Sequence, residues 1–342
     1  MIKTTLGRTQ LKVTRTAFGV LPLQRTPMDE AVRILRRAYE AGINYYDTAR
    51  GYTDSEEKLG NAFADIRSDI IIATKSSATT KSGLLSDLTA SLKNLQTDYV
   101  DVLQLHNPTE LPNPADSESS YAGLLEAQNK GLVRYIGISN HSLDRATAAV
   151  KSGLYDVLQY PMCHISSESD LAIIDLCLRH NVGLVAMKPL SGGLITNVRA
   201  AFAFFRQYHS VIPIWGMQRM EELEEFIALE ANPPEINDET RGQIENDRRD
   251  LSESFCRACG YCLPCPAEIN IPICARMGLL LRRMPYKQFV TDEWRQHMHR
   301  IDNCINCGHC RDHCPYGLDT PTLLKRMLVD YDDFYSHLAN MT

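Results

Sequence analysis

Between residues 16 and 214, short apolar segments rich in β-branched and aromatic residues alternate eight times with stretches of helical length. The segments 16–18, 44–47, 70–74, 100–105, 135–138, 157–160, 183–187 and 211–214 read as strands. Between them, 29–41 sets Ala31, Ile34, Leu35 and Ala38 on one helical stripe, and 84–95 repeats the pattern. Strands separated by helices pair in parallel, and eight such units predict an α/β chain closed into a (β/α)8 TIM barrel rather than an open sheet. A helix over 221–230 completes the pattern, and Asn232-Pro233-Pro234 breaks it. At 342 residues the chain exceeds what one core usually organises. The expected division is a barrel over 1–231, a polar linker or solvated helix over 232–252, and a small, mostly helical cysteine-rich module over 253–342.

That module holds nine of the 11 cysteines, since only Cys163 and Cys177 precede Cys256. Cys256, Cys259, Cys262 and Cys265-Pro266 form one run. Cys304, Cys307, Cys310 and Cys314-Pro315 form another, and it follows the bacterial ferredoxin pattern without deviation. The first run is one residue short before its last cysteine. Paired CxxC motifs also build zinc sites, but those need two pairs of ligands, whereas triple runs closed by Cys-Pro are an iron–sulfur habit. In two-cluster ferredoxins the cysteine before proline reaches over to the other cluster. Cys256, Cys259, Cys262 and Cys314 are therefore assigned to one 4Fe-4S cluster, and Cys304, Cys307, Cys310 and Cys265 to the other. Cys274 is the spare thiol nearby; with Met277 and Leu281 it reads as core, as do Cys163 and Cys177 in the barrel. His297, His299, His309 and His313 surround the second run and read as exposed polar residues. The stretch 320–338 reads as an amphipathic helix that packs the module against the barrel.

Bulk properties narrow the function classes. A net charge of −6 lacks the basic stripe that nucleic acid requires. No apolar run approaches the roughly 18 residues that span a bilayer, and no apolar segment follows Lys3, so a cytoplasmic protein without a membrane partner is expected.

In a barrel of this kind chemistry gathers at the C-terminal strand ends. Strands two to four present Asp47 and Tyr52, Lys75, and His106 there. A hydride arriving at a carbonyl carbon builds negative charge on oxygen, which calls for a proton donor and hydrogen-bond donors. Tyr52 is the expected acid, its pKa lowered by the Lys75 ammonium; Asp47 holds Lys75, and His106 orients the substrate oxygen. Taken singly, His106 reads as a structural histidine and Asp47–Lys75 as a buried ion pair; taken together, the four read as catalytic. Ser55-Glu56-Glu57 reads as a helix start, with Ser55 as cap and the acids complementing the dipole.

These four residues resemble, in order and spacing, the catalytic tetrad of the aldo-keto reductase superfamily, in the subgroup with a C-terminal two-cluster ferredoxin-like domain. The likeness extends over residues 1–230 through Leu6-Gly7, Phe18-Gly19, Leu59-Gly60, Gly137-Ile138-Ser139-Asn140 and Lys188-Pro189-Leu190-Ser191-Gly192-Gly193. It implies a carbonyl or alcohol as small-molecule substrate and NADP(H) or NAD(H) as cofactor. It further implies that Ser139, Asn140 and Gln159 hold the nicotinamide carboxamide. Gly19, the loop Leu190, Ser191 and Gly193, and the segment Gly216, Met217 and Gln218 would line the rest of the nucleotide. Two positions depart from the family. Met162 stands where an aromatic residue stacks on the nicotinamide, and after strand eight Arg219 is the only basic residue, opposed by Glu221 and Glu222.

A nicotinamide passes two electrons together and each cubane passes one, so something must split the pair. A flavin in the barrel mouth, substrate radical chemistry and a one-electron redox partner protein are the three routes. The leading reading is a redox enzyme that reduces a carbonyl, or oxidises an alcohol, and exchanges electrons through two clusters. Its rival is an electron-transfer protein whose barrel binds a nucleotide, flavin or partner without carbonyl reduction.

Overall fold

In the computed structural model, residues 1–251, 255–258, 260, 262–283, 286–314 and 316–339 are described. Cys259 lies outside this set. A short antiparallel hairpin comes first, β1 (Lys3–Thr5) with β2 (Lys12–Thr14). The eight apolar segments then form β3 (Ala17–Gly19), β4 (Tyr45–Asp47), β5 (Ile71–Ser76), β6 (Val100–His106), β7 (Val133–Ser139), β8 (Val157–Pro161), β9 (Gly183–Met187) and β10 (Val211–Gly216). They pair in parallel and close, β10 beside β3, into an eight-stranded barrel. After each strand in turn comes α1 (Met28–Glu40), α2 (Ser55–Phe63), α3 (Lys81–Leu95), α4 (Ser120–Asn129), α5 (Leu143–Ser152), α6 (Glu168–His180), α7 (Val198–Arg206) and α8 (Met220–Ala231). Strands covered on both faces are mostly apolar; all six residues of β5 are buried, Ile71, Ile72 and Ala73 in the core and Thr74, Lys75 and Ser76 as buried polar groups at its C-terminal end.

By internal contacts the chain divides into two units. The first is Met1–Leu190 with Asn197–Arg241, and the second is Ser191–Thr196 with Gly242–Thr342.

The hairpin is the element that periodicity did not reveal. Leu6, Leu11 and Val13 join Ala17, Tyr45, Ile71, Val102, Val157, Val185 and Ile212 in the barrel's inner core. Gly7, at the hairpin turn, has a φ of +50°, and a Cβ there would stand 2.2 Å from the Gly183 amide nitrogen. Gly7→Ala combines left-handed strain with a backbone clash and should cost on the order of 2–4 kcal/mol, read as a lowered urea midpoint. Gly60 marks a second close approach: a Cβ on it would meet the Asn94 carbonyl oxygen at 2.3 Å, so glycine lets α2 lie against α3.

The charged stretch after the barrel is helical, α9 (Asp238–Leu251), with its residues from Gly242 onward in the second unit. It is followed by α10 (Ile271–Cys274), α11 (Met277–Arg283), α12 (Asp292–His299), α13 (His309–Asp312) and α14 (Thr320–Ala339). The apolar stripe of α14, Leu323, Leu324, Leu328 and Tyr331, is buried in this unit's own core with Ile271, Cys274, Met277, Leu281 and Met298. The Tyr331 hydroxyl donates to the Phe289 carbonyl at 2.8 Å, and His299 lies between Asp302 and Asp332, 3.2 Å from each. Among the described residues no helix is long and apolar enough to cross a membrane.

Candidate active site and cysteine cavities

Strand register brings the expected rim residues into one ring. Gly216 pairs with Gly19 and Gly19 with Asp47, Lys75 lies opposite Gln104, His106 opposite Ser139, and Ser139 opposite Gln159. Lys75 belongs to β5 itself rather than to the loop beyond it. Its ammonium donates to Asp47 Oδ1 at 2.6 Å and to the Thr48 carbonyl at 2.6 Å. Asp47 is further held by Gln159, whose Nε2 donates to Oδ1 at 3.2 Å, and by Gln104, whose Nε2 is 3.4 Å from Oδ2. Gln104 also donates to Gln159 Oε1 at 2.9 Å, tying the floor of the site together. Gln104 was not anticipated. The signal lay in Gln104 and His106 sharing one face at the C-terminal end of a mostly apolar strand.

Tyr52 reaches this cluster from the loop before α2. The Lys75 ammonium is 5.3 Å from its ring centroid, and the His106 ring meets it edge-on at 5.6 Å. Burial pushes the Tyr52 phenol above its ordinary value; Lys75 opposes the shift and Asp47 adds to it. This reverses the lowered value expected from an adjacent ammonium. The reason is that Asp47 already neutralises Lys75, leaving little net field to offset the desolvation of a phenolate. Burial likewise raises the Asp47 carboxyl, against the pull of Lys75 and the two glutamine amides. His106 is driven down to about 4 by burial and then by Lys75, so its imidazole is neutral at neutral pH, and its Nδ1 is buried without a hydrogen-bond partner.

The start of α2 also differs from its sequence reading. Ser55 Oγ lies 2.8 Å from Thr48 Oγ1 rather than capping the helix. Glu56 is 1% exposed and accepts from Thr74 Oγ1 at 2.7 Å, so only Glu57 is a solvated first-turn acid. The first contact ties the start of α2 to the residue after β4, and the second ties it to β5. Lys58, equally buried, adds a third tie by donating to the Leu23 carbonyl at 2.8 Å and pairing with Asp54 at 2.7 Å.

Of the residues expected around a nucleotide, Ser139 Oγ donates to the Leu105 carbonyl at 3.3 Å, and Asn140 Nδ2 to that of Pro108 at 3.0 Å. Met162 is buried at 1% exposure. Beyond β10, Met217 is buried, while the Gln218 amide N–H donates to Glu222 Oε2 at 2.8 Å and Arg219 pairs with Glu222 at 2.8 Å. Arg219 is not the only basic residue here, because Arg25 places Nη1 3.5 Å from Gln218 Oε1. Sequence distance hid Arg25, which comes from the turn after β3. Leu190 belongs to the first unit, whereas Ser191 and Gly193 belong to the second. There Arg276 Nη2 lies 2.7 Å from where a Cβ on Gly192 would stand.

Within the second unit the cysteines line two cavities. One, of about 370 Å³, is lined by Cys262, Cys265, Cys304, Cys307 and Cys310. The other, of about 340 Å³, is lined by Cys256, Cys262, Cys310 and Cys314. Cys265 shares a cavity with the second run and Cys314 with the first, while Cys262 and Cys310 line both. Cys274 is fully buried among apolar side chains, and its thiol is pushed up to about 11 by burial.

Comparison with known proteins places both parts. The model described as the aldo/keto reductase family matches residues 16–202, more than half of the chain. The chain belongs to the aldo/keto reductase family. A second model, the 4Fe-4S dicluster domain, matches residues 255–319. Among aldo/keto reductase relatives, an L-galactose dehydrogenase of Arabidopsis thaliana is 32% identical over 213 residues, covering 56% of this chain and 66% of that protein. A probable voltage-gated potassium channel subunit beta of the same plant is 28% identical over 219 residues, covering 56% of this chain and 65% of that protein. The chain therefore spans about two thirds of the length of these curated relatives. An aldo-keto reductase of Bacillus halodurans superposes with a TM-score of 0.63 at 24% identity, over 72% of this chain and 96% of that one, which shows the shared fold.

Proposed function

We propose that this chain reduces a carbonyl, or oxidises an alcohol, at the Tyr52 end of the barrel with a nicotinamide cofactor, and exchanges electrons through two 4Fe-4S clusters. The observation that carries the reading is the buried Lys75 ammonium, fixed by Asp47 and Thr48, beside Tyr52 and a neutral His106. A bound nicotinamide supplies the hydride. Tyr52 gives its hydroxyl proton to the developing alkoxide. Lys75 keeps a third N–H for the phenolate oxygen left behind, and His106 holds the substrate oxygen with its orphaned imidazole edge.

The residues present fit such a ligand. Asn140 and Gln159 each commit one amide N–H to the protein at 3.0 and 3.2 Å, leaving a second on each amide for a carboxamide oxygen. With Ser139 they would orient the nicotinamide. Gly19, Leu190, Ser191, Gly193, Gly216, Met217 and Gln218 would border the rest of the nucleotide. The cysteine cavities favour Cys256, Cys262 and Cys314 as ligands of one cluster, with Cys259 added on its CxxC spacing alone, and Cys265, Cys304, Cys307 and Cys310 as ligands of the other. The clusters supply one-electron transfer, which links the barrel to a redox partner protein once a flavin or a substrate radical has divided the electron pair. Thiolate clusters persist in reducing compartments, which fits the cytoplasm.

The test is anaerobically purified protein supplied with NADPH or NADH and a panel of aldehydes and sugars, L-galactose among them because a relative is named for it. Turnover that depends on Tyr52 supports the reading. A second reading, a barrel that only binds a nucleotide or partner, is favoured by the relative named as a channel subunit, and it predicts no turnover.

The pH dependence follows from the two shifts. Reduction needs protonated Tyr52, and a raised phenol keeps that form past its ordinary ~10, so reduction should fall only as pH rises beyond that value. Alcohol oxidation needs the phenolate and should climb over the same range. His106 is neutral above about 4, so kcat/KM should show no limb near the usual histidine value of ~6.5. An alkaline limb below about 9 in the reductive profile would contradict the burial of Tyr52.

A further inference from the structure

Four histidines flank the second cysteine run, and three of them have partners on or near the surface. His297 lies 3.7 Å from Glu293, His299 bridges two aspartates, and His313 Nδ1 donates to the His309 carbonyl at 2.8 Å. His309 is different. It lines the cavity shared by Cys262, Cys265, Cys304, Cys307 and Cys310, and its Nε2 is buried without a hydrogen-bond partner. Its ring is held in place by His313, which stacks on it at 4.0 Å between centroids and 30° between planes. His313 in turn lines the other cavity. A buried polar nitrogen without a partner is costly unless something in the adjoining space completes it, and the space adjoining this one is lined by five thiols.

We infer that His309 donates an Nε2–H hydrogen bond to a sulfur of the cluster held by Cys265, Cys304, Cys307 and Cys310, and thereby sets that cluster's reduction potential above the value its thiolates alone would give. The inference rests on the cluster assignment proposed above. Reduction adds one electron, and hence one negative charge, to the cubane. A donor aimed at its sulfur stabilises the reduced state more than the oxidised one, which raises the potential. The other cavity is lined by different polar groups, Arg257, His313, Tyr316 and Thr320, and His313 directs its Nδ1–H to the His309 carbonyl. The two clusters should therefore differ in potential, and His309 is part of the reason.

The experiment is an anaerobic redox titration of the full chain followed by EPR, on the wild type, His309→Leu and His309→Gln, with iron and sulfide measured on each. Leucine fills the volume without a donor, whereas glutamine restores an N–H at a similar reach. The expected result is full cluster content in all three, one of two potentials shifted to more negative values in His309→Leu, the other unmoved, and the shift largely reversed in His309→Gln. Should His309→Leu fail to load, the glutamine variant decides: a potential within error of wild type supports the inference, and a shift equal for both clusters overturns it. Loaded clusters whose two potentials are unchanged in His309→Leu overturn the inference alone. A wild type without two 4Fe-4S clusters overturns the cluster assignment and the inference with it.

Discussion

Tyr52→Phe should lower kcat for carbonyl reduction by ~10²–10⁴-fold, the range typical of a lost general acid. The substitution removes one oxygen and leaves the ring, so its edge-on contact with His106 survives. Iron content and nucleotide affinity should remain near wild type, which separates lost chemistry from lost fold. The neighbouring residues are poorer probes. Replacing Lys75 would strand the Asp47 carboxylate, 2% exposed, without its partner, and breaking a buried pair costs about 3–5 kcal/mol. A variant damaged in that way loses activity for reasons unrelated to proton transfer. An unchanged kcat in Tyr52→Phe would show that the phenol does not donate the proton.

Cys265→Ser and Cys314→Ser should each remove one cluster, about four of eight irons, but not the cluster nearest in sequence. Cys265 shares its cavity with Cys304, Cys307 and Cys310, and Cys314 shares its cavity with Cys256 and Cys262. The EPR spectrum of the cluster that remains should therefore be the same in Cys265→Ser as in Cys307→Ser, and different in Cys314→Ser. If Cys265→Ser instead matched Cys256→Ser, each run would close its own cluster and the crossed assignment would fall.

The barrel strands were legible because a strand buried on both faces is mostly apolar and short, and the intervening helices announce themselves by period. The hairpin of β1 and β2 was not, since three-residue strands are too short to show alternation and owe their position to Leu6 and Gly7 meeting Gly183. Asp47, Lys75 and His106 were readable as polar residues interrupting apolar strands. Gln104 carried the same signal one residue-pair earlier and was hidden by the motif around His106. Arg25 and the burial of Glu56 depend on contacts between separate turns, which no local pattern encodes. The sign of the Tyr52 shift was misjudged for a related reason. An ammonium one reads as a free charge is, once folded, half of an ion pair, and burial then outweighs it. His309 was indistinguishable in sequence from its exposed neighbours, because only the fold decides which imidazole faces the thiols.

The most direct test of the account follows the fate of a single hydrogen. The protein is supplied with NAD(P)H deuterated at the transferring position of the nicotinamide and with a carbonyl substrate, and the alcohol is examined by mass spectrometry and NMR. The account predicts deuterium on the carbinol carbon, as direct hydride transfer to the carbonyl beside the Tyr52 phenol requires. A carbinol hydrogen drawn from solvent would contradict it.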